Sequence, residues 1–371
     1  MIDENFIAKA YSTMERGIPD FRKRKRQIAR RFVLKNFLNI IFVKPEKNYN
    51  SVFLLHPKLE VQKIFADAFK LDINSLPFLN KALFYIQLGY ISPNTRIRVW
   101  AANKGFNYLQ YYFNSSNITI INCGPSILSP FLVRLCENKK DSSTYYIIQH
   151  GLYQMDYKPY EFEFNNIACK SVVWSELLAQ NYISQGMDAQ KIQVLPTHLF
   201  RTINELNKSK KVLIIGESIN KINKNFDIEY QQKIKQVVQY LKQNSDYNEF
   251  YFKKHPRALP SLQLEMALAD NSIKILNKIN LSDYSLLIGA VSTLMIEGLA
   301  VGCRVIQLSM EKFQINVGDY SLYTSIENLR DIKEIKEKID RINNLKKNYI
   351  NPEFLRVEDN FEDYYKKLLE Q

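Results

Sequence analysis

Two stretches of the chain carry residue types and spacings that can handle an anion. Residues 250–257 read FYFKKHPR, an alternating run that feeds into Lys253, Lys254, His255, Pro256 and Arg257. Proline cannot continue a ladder, so Pro256 stops the strand and leaves His255 at its carboxyl end. Ligands of open α/β sheets bind at such ends, and cations beside a histidine there favour an anionic group. Residues 282–308 read SDYSLLIGAVSTLMIEGLAVGCRVIQL. Leu286, Leu287 and Ile288 form a short apolar run and so a buried strand. Ser292 and Thr293 then suit a helix N-cap, and Leu294, Ile296, Leu299 and Ala300 give the helix its apolar face. Gly302 ends that helix, and residues 305–308 form the next strand. A βαβ unit with a hydroxyl pair at the helix start suits a phosphate. Glu297, one turn on, can accept hydrogen bonds from a ribose or a sugar. The plainer alternative is that Ser292 only caps and Glu297 is only solvated.

A third candidate lies upstream. The run 145–148, YYII, ends in Gln149, His150 and Gly151, which puts a histidine at another strand end beside a residue that permits a tight turn. A histidine titrates near neutrality and can deprotonate a hydroxyl. Asp156 and Glu161 follow within the aromatic stretch LYQMDYKPYEFEF and are carboxylate alternatives for the same task. Gly216, after the apolar run 211–215, permits close approach of a ligand. The chain has no GxGxxG, so a dinucleotide fingerprint is absent. Between Arg257 and Ser292 the acids are Glu265, Asp270 and Asp283, too scattered for a metal-binding pair. No metal and no cofactor are expected.

The elements that must position these residues alternate. Strands are expected at 51–55, 97–101, 118–122, 145–148, 171–174 and 192–195, with helices at 60–69, 106–113, 127–135 and up to Gln185. A polar linker spans 201–210. Strands then recur at 211–215, 250–253, 286–288 and 305–308, with helices at 227–243, 329–345 and in the tail from Pro352 to Leu369. Such alternation predicts an α/β fold of two Rossmann-like, doubly wound domains facing a cleft. The expected boundaries are a basic helical segment at 1–47, a first domain at 48–200, a second domain at 211–345 and a further helix at 346–371.

With 371 residues and 46% hydrophobic content, the chain can bury two cores. The net charge of +13 calls for an anionic partner. No nucleic-acid module is evident, so nucleic acid is not expected. Residues 21–44 hold the densest charge, with Arg22–Arg26 unbroken and Ile28, Phe32, Leu34, Phe37, Leu38 and Ile41 interleaved. A basic amphipathic helix of this kind can lie on an anionic membrane surface. No apolar run spans a bilayer and the first residues lack a signal-peptide pattern, so a cytoplasmic protein at the inner membrane face is expected. Four scattered cysteines suggest neither zinc nor a disulfide framework.

At His255-Pro256 and Ser292-Thr293 the chain resembles the bacterial surface-polysaccharide glycosyltransferases of GT-B fold: the sialyl-, polysialyl- and Kdo transferases and the CDP-glycerol polymerases. The resemblance covers roughly residues 50–345 and rests on two short motifs in the right order. It implies that Lys254, His255, Pro256, Arg257, Ser292, Thr293, Glu297 and Gly216 hold the donor nucleotide and its phosphate. It implies that the loop with His150, Asp156 and Glu161 faces the acceptor. It implies transfer from a nucleotide sugar, with a CMP-ulosonic acid such as sialic acid or Kdo favoured, to a glycan or glycolipid acceptor. Typical bacterial sialyltransferases have two acids before the glycine where this chain has His150, which counts against sialic acid itself. CDP-glycerol-type transfer, UDP- or GDP-hexose transfer, a hydrolysing epimerase and a non-enzymatic adaptor are the alternatives.

Overall fold

The computed structural model describes residues 2–14, 19–42, 51–55, 77–113, 118–122, 126–139, 143–149, 166, 168–217, 226–255, 262–310 and 319–370. Two parallel sheets organise them. The first comprises β1 (Ser51–Leu55), β2 (Ile118–Asn122), β3 (Thr144–Ile148), β4 (Cys169–Val173) and β5 (Ile192–Val194), in that order across the sheet. Side chains alternate between faces with a period of two. Ile118, Ile120, Tyr145, Ile147 and Cys169 therefore share one face. They pack against α1 (Glu4–Met14), α3 (Pro77–Ile91), α4 (Thr95–Tyr112) and α5 (Ser129–Asn138). Between α1 and α3, α2 spans Pro19–Phe42, and α6 (Glu176–Ser184) lies between β4 and β5 in the chain. Ile121, Tyr146, Ile148 and Val172 face the other way, onto Phe361, Tyr365 and Leu368 of the C-terminal helix.

Residues 97–101, expected as a strand, lie inside α4. The side chain of Asn94 accepts the N–H of Ile97 and caps a helix start. Ala101, Ala102, Phe106, Leu109 and Tyr112 are then buried at helical spacing. Five alternating residues fit either period, and the longer apolar series decides. The segment before the first strand also joins this core. Ile7 and Tyr11 of α1 are buried, and the Tyr11 hydroxyl donates to the Ile86 carbonyl at 2.8 Å.

The second sheet has the order β11-β10-β9-β6-β7-β8. Its strands are β6 (Lys211–Ile215), β7 (Glu249–Lys253), β8 (Lys274–Leu276), β9 (Leu286–Gly289), β10 (Arg304–Leu308) and β11 (Glu327–Leu329). The chain starts in the middle, builds outward through β7 and β8, then returns to the other side of β6. Ligand crevices of doubly wound sheets open where the order reverses, here at the carboxyl ends of β6 and β9. Val212 and Ile214 face α7 (Phe226–Asn244), α8 (Leu262–Asp270) and α10 (Ile335–Asn343). Leu213 and Ile215 face α9 (Leu294–Ala300). The tail expected as helix from Pro352 onward is helical only as α11 (Phe361–Glu370), and Leu329 ends β11 rather than starting a helix.

An aromatic joint ties the sheets together. Trp174, just past β4, is fully buried among Leu213, Ile215 and Met295 of the second sheet's side. Its indole N–H donates to the Tyr365 hydroxyl at 3.3 Å, and that hydroxyl donates to the Pro196 carbonyl at 3.0 Å. His198 packs edge-on between Trp174 and Tyr365, at 5.1 and 6.3 Å between ring centres. The polar stretch 201–210 has no regular structure and runs along the end of α9. Asn204 and Asn207 donate their N–H groups to the carbonyls of Ala300 and Gly302. Gly302 sits at φ +92°, and a β-carbon there would lie 2.0 Å from the Glu205 carbonyl oxygen, so only glycine fits that turn.

Candidate functional site

The crevice of the second sheet is built around a residue that no motif pointed to. Glu217 follows Gly216 at the carboxyl end of β6. Its Oε1 accepts the N–H groups of Ala290 and Val291, at 3.0 and 3.1 Å, in the turn that leaves β9. That turn is held from its other side by Gln307 of β10. The Gln307 amide donates to the Ala290 carbonyl at 3.0 Å and accepts the Tyr320 N–H at 3.1 Å. Two strand ends that are 73 residues apart in sequence are thus clasped by one carboxylate.

His255 lies on the other side of β6, two residues beyond β7. The Gly216 N–H donates to the Lys253 carbonyl at 2.8 Å. A β-carbon on Gly216 would fall 2.4 Å from that carbonyl oxygen and 3.0 Å from the His255 nitrogen. The close approach that this glycine allows is therefore taken by the chain's own backbone. Lys254 pairs with Glu265 of α8 at 2.8 Å, so its charge is largely met within the protein. The neighbouring Lys253 ammonium donates to the Lys254 carbonyl, and burial pulls its pKa down. Pro256 and Arg257 lie outside the described residues.

Ser292 and Thr293 follow the clasped turn directly. Ser292 Oγ accepts the Leu294 N–H at 3.3 Å, while the Thr293 side chain makes no capping bond. Both are half-buried, as is Glu297 one turn further on. The helix they open has only seven residues, so its dipole is small, and the amides just before it already serve Glu217. The His255 and Ser292-Thr293 elements, distant in sequence, thus flank Glu217 at adjacent strand ends.

The electrostatics of this spot are unusual. Burial pushes the Glu217 carboxyl up, and the amides of Ala290, Val291 and Ser292 pull it part of the way back. No cation among the described residues pairs with it. Tyr230 donates its hydroxyl to the Ile215 carbonyl at 2.6 Å, and burial together with the Glu217 charge holds its pKa far above the ordinary value. Tyr320 is raised for the same two reasons. Both phenols therefore stay neutral beside the acid. Among the described residues, no group of three His, Cys, Asp or Glu side chains is arranged to hold a metal ion.

At the first sheet, β3 is described as far as Gln149. Gln149 is buried and its Oε1 accepts the Trp174 N–H at 2.8 Å, which ties this strand end to the joint. His150, Asp156 and Glu161 lie outside the described residues. A hollow of about 760 Å³ on the outer side of the second sheet is lined by Lys333, Lys336, Asp340 and Arg341. It lies on α10 and the turn before it, away from the strand ends that carry the motifs.

No protein-family model matches the chain. No curated protein matches it in sequence. Among solved structures, the UDP-GlcNAc 2-epimerase from Methanocaldococcus jannaschii is similar with a TM-score of 0.53 at 12% identity, over 86% of this chain and 99% of that one. The same organism's UDP-GlcNAc 2-epimerase in complex with UDP-GlcNAc and UDP gives 0.51 at 13% identity, over 83% and 88%. The two-domain, Rossmann-like GT-B arrangement is shared across nearly the whole length. At this identity the likeness is one of fold.

Proposed function

We propose that the protein is a sugar-nucleotide enzyme, and specifically a glycosyltransferase that moves a sugar from a nucleotide-activated donor to a hydroxyl of a cell-surface glycan or glycolipid. The observation that supports this reading is that the His255 and Ser292-Thr293 elements follow β7 and β9, on either side of β6 at the switch point of the second sheet, within a fold shared with an enzyme that binds UDP-GlcNAc. The donor nucleotide lies in that crevice. His255 and the hydroxyls of Ser292 and Thr293 meet its phosphate, and the motif resemblance adds Arg257 and Pro256 to the same role. Lys254 contributes less because Glu265 holds it. Glu297 accepts from a sugar or ribose hydroxyl. The acceptor hydroxyl is deprotonated by His150, Asp156 or Glu161. Positioned donors stabilise the leaving phosphate and take the place of a metal ion; each such donor is worth about 10²–10³ in rate.

The motif resemblance favours a CMP-linked ulosonic acid as donor. A second reading, UDP-hexosamine chemistry by transfer or epimerisation, is favoured by the fold match, which spans 99% of the epimerase chain. A thermal-shift panel of CMP, CDP, UDP, GDP and their sugars separates them. Stabilisation by CMP and its sugars supports the first, stabilisation by UDP or GDP the second, and CDP points to polyol-phosphate transfer. A flat panel contradicts all three.

We also place α2 against an anionic membrane surface. Ala29 and Val33 on its inner side are buried, and Phe37 approaches Phe84 of α3 with 6.2 Å between ring centres. Arg26, Arg30, Arg31 and Lys35 are exposed together with Ile28, Leu34 and Phe37, interleaved rather than segregated into a stripe. No described helix is long and apolar enough to cross a membrane. Loss of binding to phosphatidylserine vesicles in a R30E/R31E variant would support this placement, and unchanged binding would refute it.

A further inference from the structure

We propose that Glu217 sets what the crevice accepts: its carboxylate fills the N–H groups of the turn after β9, keeps phosphate out of that spot, and takes hydrogen bonds from ligand hydroxyls such as the diol of a ribose or hexose. This rests on the sugar-nucleotide reading and names the part of the ligand that meets the switch point.

Three observations carry it. The residue stands at the carboxyl ends of β6 and β9, where the strand order reverses, and Oε1 alone takes both the Ala290 and the Val291 N–H groups. Backbone amides turned toward one point make an anion-binding concavity, and here the anion is supplied by the protein itself. A second anion brought within hydrogen-bonding distance would meet like-charge repulsion in a poorly hydrated place. A hydroxyl would meet an acceptor.

The fold does not require the charge. The turn is already fixed from its other side by Gln307, which is buried and bonded to both Ala290 and Tyr320. A neutral amide at position 217 would accept the same two N–H groups without a desolvated charge. A half-buried carboxylate held by backbone amides, with no cation among the described residues beside it, is costly to keep. A charge retained at such cost, in a crevice, is the pattern of a functional group. Among the described residues, Tyr230 and Tyr320 feel its charge, and as neutral phenols neither supplies a countercharge.

The test compares the wild-type chain with E217Q and E217A, titrating uridine, cytidine, UDP, CMP and inorganic phosphate by calorimetry. The amide of E217Q keeps the turn but cannot accept from a ligand hydroxyl. Its melting temperature at pH 8 should equal or exceed that of the wild type, while affinity for whichever nucleoside or nucleotide the wild type binds falls about tenfold. E217A uncovers the amides and should gain at least tenfold in affinity for inorganic phosphate, a gain E217Q should not show. E217S serves in its place if the alanine chain does not fold. Nucleoside affinity within twofold of wild type in E217Q, or no phosphate gain in E217A, overturns the proposal. If the wild type binds no nucleoside or nucleotide at all, the sugar-nucleotide reading fails, and the phosphate titration alone decides the role of Glu217.

Discussion

At the joint between the sheets, Trp174, His198 and Tyr365 are buried as rings, and the indole and phenol are used in hydrogen bonds that run from Trp174 through Tyr365 to Pro196. In the crevice some strand ends away, Glu217 is half-buried among two phenols and three backbone amides, with no described cation beside it. Both places sit at carboxyl ends of parallel strands. The joint uses that position to fasten one sheet to the other with apolar area and uncharged donors. The crevice uses it to hold a group whose burial opposes folding. On the proposed reading, stability and function are kept in separate places, and substitutions in the two should move different observables.

The largest effect belongs to the joint. Trp174→Ala removes a wholly buried ring, and a loss of about 3–5 kcal/mol in denaturant unfolding is expected. A loss under about 1 kcal/mol would mean that the two sheets are not joined through a common core. Tyr365→Phe keeps the ring but deletes the hydroxyl that links Trp174 to Pro196. It should cost about 1–2 kcal/mol and leave nucleotide affinity alone.

In the crevice the pattern reverses. His255→Ala should weaken nucleotide binding by about 1 kcal/mol or more, roughly fivefold, with little change in melting temperature. Equal affinity in the variant would remove His255 from the donor site. Glu217→Gln should produce a pH signature. A carboxyl whose folded pKa is raised binds its proton more tightly when folded. Its contribution to stability is present at acid pH and is lost as pH rises from the ordinary carboxylate value through the folded one. The melting temperature of E217Q should therefore gain on that of the wild type across that window and run parallel to it above. Tyr230 and Tyr320 remain protonated throughout, so they do not mask the effect. A gap that narrows with rising pH would show the carboxylate to be a stabilising anchor. The smallest effect is Lys254→Ala. Its pair with Glu265 is about a quarter exposed, and a change below about 1 kcal/mol in stability is expected from equilibrium unfolding.

What could be read from the sequence follows from how much of the signal is local. The runs that became β6, β9 and β10 are short, apolar and rich in branched residues between turn residues, and they announce buried parallel strands. His255 and the Ser292 turn both follow strands of one sheet, β7 and β9, which lie on either side of β6. The three-residue strands β8 and β11 give too short a pattern to see. Helix α3 is apolar almost throughout, so it shows no clean period. Glu217 left no motif at all. A lone acid after a strand means nothing until β9 is known to lie beside β6, and that neighbour is decided by topology across 73 residues.

Backbone hydrogen–deuterium exchange, with and without a saturating nucleotide from the thermal-shift panel, tests the central claim most directly. The account predicts new protection at residues 216–217, 255 and 290–294, with exchange around Trp174 and Tyr365 unchanged. Protection confined to the first sheet, or absent from the turn after β9, would contradict it.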